Sequence, residues 1–263
     1  MSSYVLEAAG LVKSFGSTRA LDGVDLSVRP GESVAIMGAS GSGKTTLLHC
    51  LAGIVAPDAG TVAFRYGTAR TEVTALSERE RSRLRREAFG FVFQQGLLIP
   101  ELTASENVAL ALMLNGIPRP KAEEHARGWI AALGLAGLED RRIGQLSGGQ
   151  AQRVAIARAQ VTGAPVVFAD EPTGALDSAT SADVMRALLE STVGQGRTLV
   201  LVTHDAGVAA RCARIVEVRD GRIVAERAGH PATGREGGTD ASGGTDASGA
   251  APAVSATGEA VRL

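Results

Sequence analysis

The sequence predicts an α/β protein: a parallel-sheet core joined to an antiparallel β subdomain near the N-terminus, with an α-helical subdomain inserted over about 77–163. Three observations carry this reading. Short apolar runs at 33–37, 166–169 and 198–202 have the continuous hydrophobicity of strands covered on both faces. Helix-forming segments lie between them, as parallel strand connections require. The first run leads without a break into a glycine loop, Gly38-Ala39-Ser40-Gly41-Ser42-Gly43-Lys44-Thr45, followed by helix-permissive residues.

Along the chain, residues 4–36 alternate as strands do, most clearly at 24–28, and Pro30-Gly31 turns the chain into the buried strand 33–37. A helix over 45–51 is closed by Gly53, Pro57, Asp58 and Gly60, and a strand follows at 61–65. Ser77-Glu78-Arg79-Glu80 and Thr103-Ala104-Ser105-Glu106 both have capping-box spacing, so helices open there, and a third covers 121–133. Another helix is expected over 151–159, where the residues are mostly good helix formers. The pattern then returns to strand 166–169, helix 179–189 and strand 198–202. The folded domain is expected to span 4–228. From 229 to 263 the composition shifts to Gly, Ala, Ser and Thr, with Gly-Gly-Thr-Asp-Ala-Ser at 237–242 and again at 243–248, a low-complexity tail expected to be disordered and dispensable.

Composition excludes several classes. With 27 basic and 28 acidic residues in 263, there is no basic surplus to recruit nucleic acid. The Arg-rich stretch Arg79, Arg81, Arg83, Arg85, Arg86 is interleaved with Glu78, Glu80 and Glu87 and reads as a solvated helix face. Cys50 and Cys212 match no metal or disulfide spacing and read as small buried apolar side chains of a reducing compartment. No stretch reaches the roughly 18 apolar residues of a membrane span, so the chain is not expected to cross a membrane itself.

Three stretches carry chemistry. In the glycine loop the glycines let backbone N–H groups face phosphate oxygens, Lys44 supplies a point charge to the β and γ phosphates, and Thr45, followed by Thr46, offers a hydroxyl to magnesium. The strand 166–169 delivers two adjacent carboxylates: Asp170, assigned to the metal, and Glu171, assigned to the attacking water. Leu146-Ser147-Gly148-Gly149-Gln150 opens a helix with bare amides, a second anion site in a chain that already has one.

In that order, with Phe93-Gln94 after an apolar run, Ala175-Leu176-Asp177 and His204 after strand 198–202, the motifs resemble those of ATP-binding cassette (ABC) ATPases over residues 4–227. The resemblance implies a P-loop NTPase core of the RecA-like kind, binding ATP with Mg²⁺. It implies further roles: Phe15 stacking on adenine, Gln94 sensing metal and water, His204 contacting the γ-phosphate, and Asp177 organising the subunit interface while capping the next helix. Ser147, Gly148, Gly149 and Gln150 would close on the ATP of an opposite subunit, which makes the working form a homodimer.

Thr74-Ala75-Leu76-Ser77, Phe89-Gly90-Phe91-Val92-Phe93-Gln94, Leu98-Ile99-Pro100-Glu101-Leu102-Thr103 and Ala169-Asp170-Glu171-Pro172-Thr173-Gly174 are similar to the lipoprotein-release and macrolide-export subgroup. Membership implies a homodimeric ATPase with a separate or fused permease; with none fused here, a transmembrane permease on another chain is expected to grip the groove around 94–102, which implies a cytoplasmic location, peripheral on the inner face of the membrane. Ala151 and Gln160 stand where a glutamine and a leucine are common in that subgroup. The alternative is a cassette ATPase that regulates a membrane partner without transport. An unrelated phosphate-loop kinase or GTPase would leave 146–150 unexplained.

Overall fold

The computed structural model describes residues 4–230. Strands β1 (Leu6–Phe15) and β2 (Thr18–Val28) form an antiparallel hairpin, and β3 (Ser33–Met37) enters the glycine loop and helix α1 (Lys44–Leu51). Strands β4 (Ala59–Tyr66) and β5 (Ala69–Glu72) follow, then α2 (Glu78–Ala88), β6 (Phe89–Phe93), α3 (Ala104–Met113), α4 (Arg119–Ala132) and α5 (Gly148–Gln160). The chain continues through β7 (Val166–Asp170), α6 (Ser178–Thr192), β8 (Thr198–Val202), α7 (Ala206–Ala209), β9 (Arg214–Arg219) and β10 (Arg222–Ala228).

Two sheets result. One is antiparallel, in the order β2-β1-β4-β5; the other runs β10-β9-β3-β8-β7-β6, parallel throughout except for β10. Period-two alternation in the parallel strands divides the core. Ala35, Val167, Ala169, Leu199 and Leu201 pack with the helical side, against Val154, Ile156, Val184, Met185 and Leu188. Val34, Ile36, Val166, Phe168, Val200 and Val202 pack on the other face, against α1 and the antiparallel sheet. Strands β3, β7 and β8 are therefore buried on both faces, which accounts for their unbroken apolar runs.

Both expected capping boxes form: Ser77 with Glu80 at α2, and Thr103 with Glu106 at α3. The span 77–163 departs from expectation in one respect. It is mostly helical, but Phe89–Phe93 is an edge strand of the parallel sheet, paired with β7 from Phe89↔Val166 to Phe93↔Asp170. The aromatic run favours a pleated, buried surface, and Gly90 lets α5 approach, since a Cβ there would lie 2.4 Å from the Ala159 carbonyl oxygen. Helix α2 belongs with the opposite core, to which it gives Leu84 and Ala88. Cys50 and Cys212 are buried free thiols, pushed up by burial to about 11 and about 12. The low-complexity residues from 231 onward lie outside the described residues.

Candidate active site

Four neighbouring parallel strands end at one edge of the central sheet, and each releases a chemical group there. Beyond β3 lies the glycine loop, beyond β8 His204, at the end of β7 Asp170 with Glu171, and beyond β6 Gln94. The register Ile36↔Val202, Asp170↔Val202 and Phe93↔Asp170 keeps these ends level. The carboxyl edge of a parallel sheet is where such folds hold ligands.

The loop geometry demands its glycines. Gly38, Gly41 and Gly43 have φ of 150°, 77° and 104°, conformations that other residues rarely adopt. A Cβ at Gly38 would lie 2.1 Å from the Val218 carbonyl oxygen, and one at Gly43 would lie 2.2 Å from that of Ala20. Ser40 and Gly41 are exposed, while Ser42 is buried with its hydroxyl unpartnered among the described residues. Lys44 is 8% exposed, and its ammonium donates to the Ala39 carbonyl at 2.7 Å, so its charge is held across the loop. The N-terminus of α1 adds its unpaired N–H groups to the same place. Ala39, Ser40, His204 and Glu217 help to line a cleft of about 760 Å³ beside the loop.

Thr45 Oγ1 donates to Asp170 Oδ1 at 3.2 Å. Burial pushes the Asp170 carboxyl above its ordinary value, against the Thr45 hydrogen bond and the nearby His49. Reciprocally, burial lowers His49. Glu171 carries a left-handed φ of 47°, locked by its N–H to the Val202 carbonyl at 2.9 Å and by its carbonyl accepting from Gly174 N–H at 3.1 Å. Such a conformation costs on the order of 1–3 kcal/mol and is kept where surrounding structure enforces it. It turns the Glu171 carboxylate toward His204, whose Nδ1 lies 2.9 Å from Oε1.

The glycines at 148 and 149 sit elsewhere. Ser147 caps α5 in a reciprocal box with Gln150, at 3.3 and 2.9 Å. The amides of Gly148 and Gly149, at the first helical positions, have no partner within the helix. Gly149 is buried against α6, where a Cβ would lie 2.4 Å from Thr180 Cγ2. Among the described residues no hydrogen bond or ion pair joins 147–150 to the glycine loop of the same chain. Asp177 caps α6 through Ala179 and Thr180 N–H at 3.1 and 3.0 Å, and hydrogen bonding by Thr180 holds its carboxyl below the usual range. Phe15 is 53% exposed, with Lys13 Nζ 5.5 Å from its ring centroid; it ends β1 of the hairpin whose Ala20 packs on Gly43.

Sequence reasoning missed the residues that brace the Gln94 loop. Gln152 Nε2 donates to the Phe93 carbonyl at 2.9 Å, and the two Nη atoms of Arg158 donate to the Leu97 and Gly96 carbonyls, each at 2.7 Å. Leu97 is itself left-handed, with φ 48°. Gln152 and Arg158 lie within the helix-forming run after the glycines, but nothing in their spacing announces which loop they hold.

The family described as ABC transporter matches residues 21–174. The chain is 50% identical over 221 residues to the pyoverdine export ATP-binding/permease protein PvdT of Pseudomonas aeruginosa, which is 82% of this chain and 33% of that protein. It is 45% identical over 242 residues to the macrolide export ATP-binding/permease protein MacB of Rhodopseudomonas palustris, 90% of this chain and 36% of that one. The chain thus spans about a third of the length of these relatives. Among solved structures, the dimeric post-hydrolysis state of the ATP-binding cassette MJ0796 bound to ADP and Pi is 37% identical, with a TM-score of 0.76, covering 85% of this chain and 98% of that one. CbiO1 of Clostridium perfringens, part of the ABC transporter complex CbiONQ, is 28% identical with the same TM-score, covering 88% and 90%. With the family model matching residues 21–174 and relatives 45–50% identical over most of its length, the chain belongs to the ABC transporter family.

Proposed function

We propose that two copies of this chain hydrolyse ATP at sites shared between them and that this drives a membrane permease. One observation carries the reading: the hydrolytic groups of one copy gather at the sheet edge, with His204 Nδ1 2.9 Å from Glu171 Oε1, while among the described residues no hydrogen bond joins 147–150 to the phosphate loop of their own chain. The dimeric cassette MJ0796 is the solved relative that supports the pairing.

In this reading the glycine loop and Lys44 hold the phosphates, and Phe15 offers its exposed ring to the adenine. The Thr45 hydroxyl and the Asp170 carboxylate are hard oxygen donors 3.2 Å apart, a pair that suits Mg²⁺, which keeps waters in its other positions. Bound there, Mg²⁺ supplies charge neutralisation at the β and γ phosphates. Glu171 accepts a proton from the attacking water, and Gln94 orients that water from the neighbouring strand end. His204, anchored by Glu171, donates to the γ-phosphate, and Gly148 and Gly149 of the second copy close over it. ATP binds the closed pair better than ADP does, and this difference in affinity does the mechanical work.

The permease is proposed to be another chain, gripping the loop at 94–102, where Leu97 and Ile99 are 58% and 39% exposed. The chain would then sit on the inner face of the membrane; no helix among the described residues is long and apolar enough to cross one. The relatives named as exporters support an export direction, with a lipoprotein-type or peptide-type substrate in view of the subgroup. Reconstitution with the permease in vesicles is the test: ATP-dependent solute movement, lost with Glu171→Gln, is expected. Hydrolysis without solute movement would instead mark a regulator of its membrane partner.

A further inference from the structure

The opposite edge of the central sheet holds a second constellation that hydrolysis does not use. The turns preceding β3, β7 and β8, with Pro30, Gly31, Thr162, Pro165 and Gln195, meet the β4–β5 turn at Tyr66 and Gly67 and enclose a recess of about 740 Å³. Two arginines, Arg65 and Arg197, are among the residues that line it, and no Asp or Glu is.

Neither arginine has an acidic partner among the described residues. Arg65 makes no side-chain hydrogen bond there, and its Nε is buried and unpartnered. Arg197 is held from behind: its Nη1 donates to the Gln160 carbonyl at 3.0 Å and to Gln160 Oε1 at 2.8 Å, and its guanidinium lies 5.6 Å from the Trp129 ring centroid. Gln160 is fully buried, and its amide donates to the hydroxyls of Ser191 and Thr192. Gln160 thus acts as a bracket that fixes Arg197. Burial lowers the Arg197 pKa. Arg214, also half-buried, shows the contrast, since it is matched by Glu32 at 2.7 Å and Glu226 at 2.9 Å.

Burying cationic donors without a counter-charge is unfavourable. Two arginines that line one open recess without a carboxylate partner offer donors that suit an oxyanion in charge-assisted pairs. We propose that this recess is a binding site for a phosphate-bearing ligand, with Arg65 and Arg197 taking its oxygens and Tyr66, 50% exposed, offering a ring beside them. The site lies across the sheet from the nucleotide, at the starts of the strands that carry the glycine loop, Asp170 and His204, and it does not depend on the hydrolytic reading.

The test follows the arginine Nε–H resonances of the full chain by NMR during titration with pyrophosphate at physiological ionic strength. The Lys44→Ala background removes the phosphate-loop lysine as a competing contact. Saturable, parallel shifts of Arg65 and Arg197 are expected in both backgrounds, with about tenfold or greater loss of affinity in Arg65→Gln and weaker binding in Gln160→Leu. Unchanged thermal melting and ATP binding in Arg65→Gln would show that the fold is intact. A second arm uses phosphatidylglycerol vesicles. Recruitment that is lost in Arg65→Gln would identify a lipid headgroup as the source, whereas pyrophosphate shifts without recruitment would identify a soluble ligand. Absence of saturable shifts and of Arg65-dependent recruitment, shifts that vanish with Lys44→Ala, or unchanged affinity in Arg65→Gln would each overturn the proposal.

Discussion

His204 Nδ1 lies 2.9 Å from Glu171 Oε1, so the imidazole released by one strand is oriented by the carboxylate of the next. Glu171 adopts its left-handed conformation at this contact. The two side chains therefore act as a unit. Replacing Glu171 with Gln keeps the shape and removes the proposed proton acceptor, which is expected to lower phosphate release by about 10²–10⁴-fold with ATP binding retained. His204→Ala should cost on the order of 10²-fold, and the double variant should lose less than the product of the two. Wild-type turnover in Glu171→Gln would refute the assignment of the water to that residue.

Asp170 gives a pH signature. Its folded pKa is raised above 3.8 by burial. Between 3.8 and the raised value the folded state holds more protons than the unfolded state, so the stability of the nucleotide-free protein falls as pH rises through that window. Asp170→Asn should abolish this fall and melt no lower than wild type above the window, while losing the added stability that Mg²⁺-ATP confers. Thermal melting across pH, with and without Mg²⁺-ATP, reads both effects.

Gly149 separates packing from phosphate contact. A Cβ there would lie 2.4 Å from Thr180 Cγ2, so Gly149→Ala is expected to destabilise the fold by about 1–3 kcal/mol through overpacking. Thr180→Ser deletes the obstructing methyl group and should restore most of that loss. If the ATP of the second copy also approaches residue 149 too closely to admit a methyl group, the double variant will be stable and still impaired in hydrolysis. Full activity in the double variant would show that only the packing against Thr180 requires glycine at 149.

Arg158 tests the brace on the Gln94 loop. Its hydrogen bonds to the Gly96 and Leu97 carbonyls, each 2.7 Å, hold a strained turn beside the proposed permease contact. Arg158→Ala removes two charge-assisted bonds of about 1.5–3 kcal/mol each at most. The expected outcome is near-normal ATP binding with reduced stimulation of hydrolysis by the permease. Equal stimulation in variant and wild type would show that the brace does not couple the two.

Much of this arrangement was legible in the sequence because local rules and tertiary context agree. The run 33–37 leading to Gly38 could be only a buried strand feeding a turn, and the boxes at Ser77 and Thr103 each start a helix through contacts within four residues. Strand β6 was hidden because Phe89 follows α2 directly, without a turn residue, and its pairing partner Val166 lies far along the chain. The brace of Gln152 and Arg158 was hidden for a related reason: both sit in an unremarkable helical run, and their partners are backbone carbonyls about sixty residues away. Pairings of that kind depend on how α5 docks on β6, which no local pattern encodes.

The central claim is that each hydrolytic site needs two copies of the chain, and the most direct test is the rate of ATP hydrolysis per chain as protein concentration is lowered through the monomer–dimer transition. The specific rate is expected to fall steeply as dimers dissociate. Mixing Glu171→Gln chains with Ser147→Arg chains should restore at most one working site per mixed pair. A specific rate that stays constant down to a verified monomer would contradict a site shared between two copies.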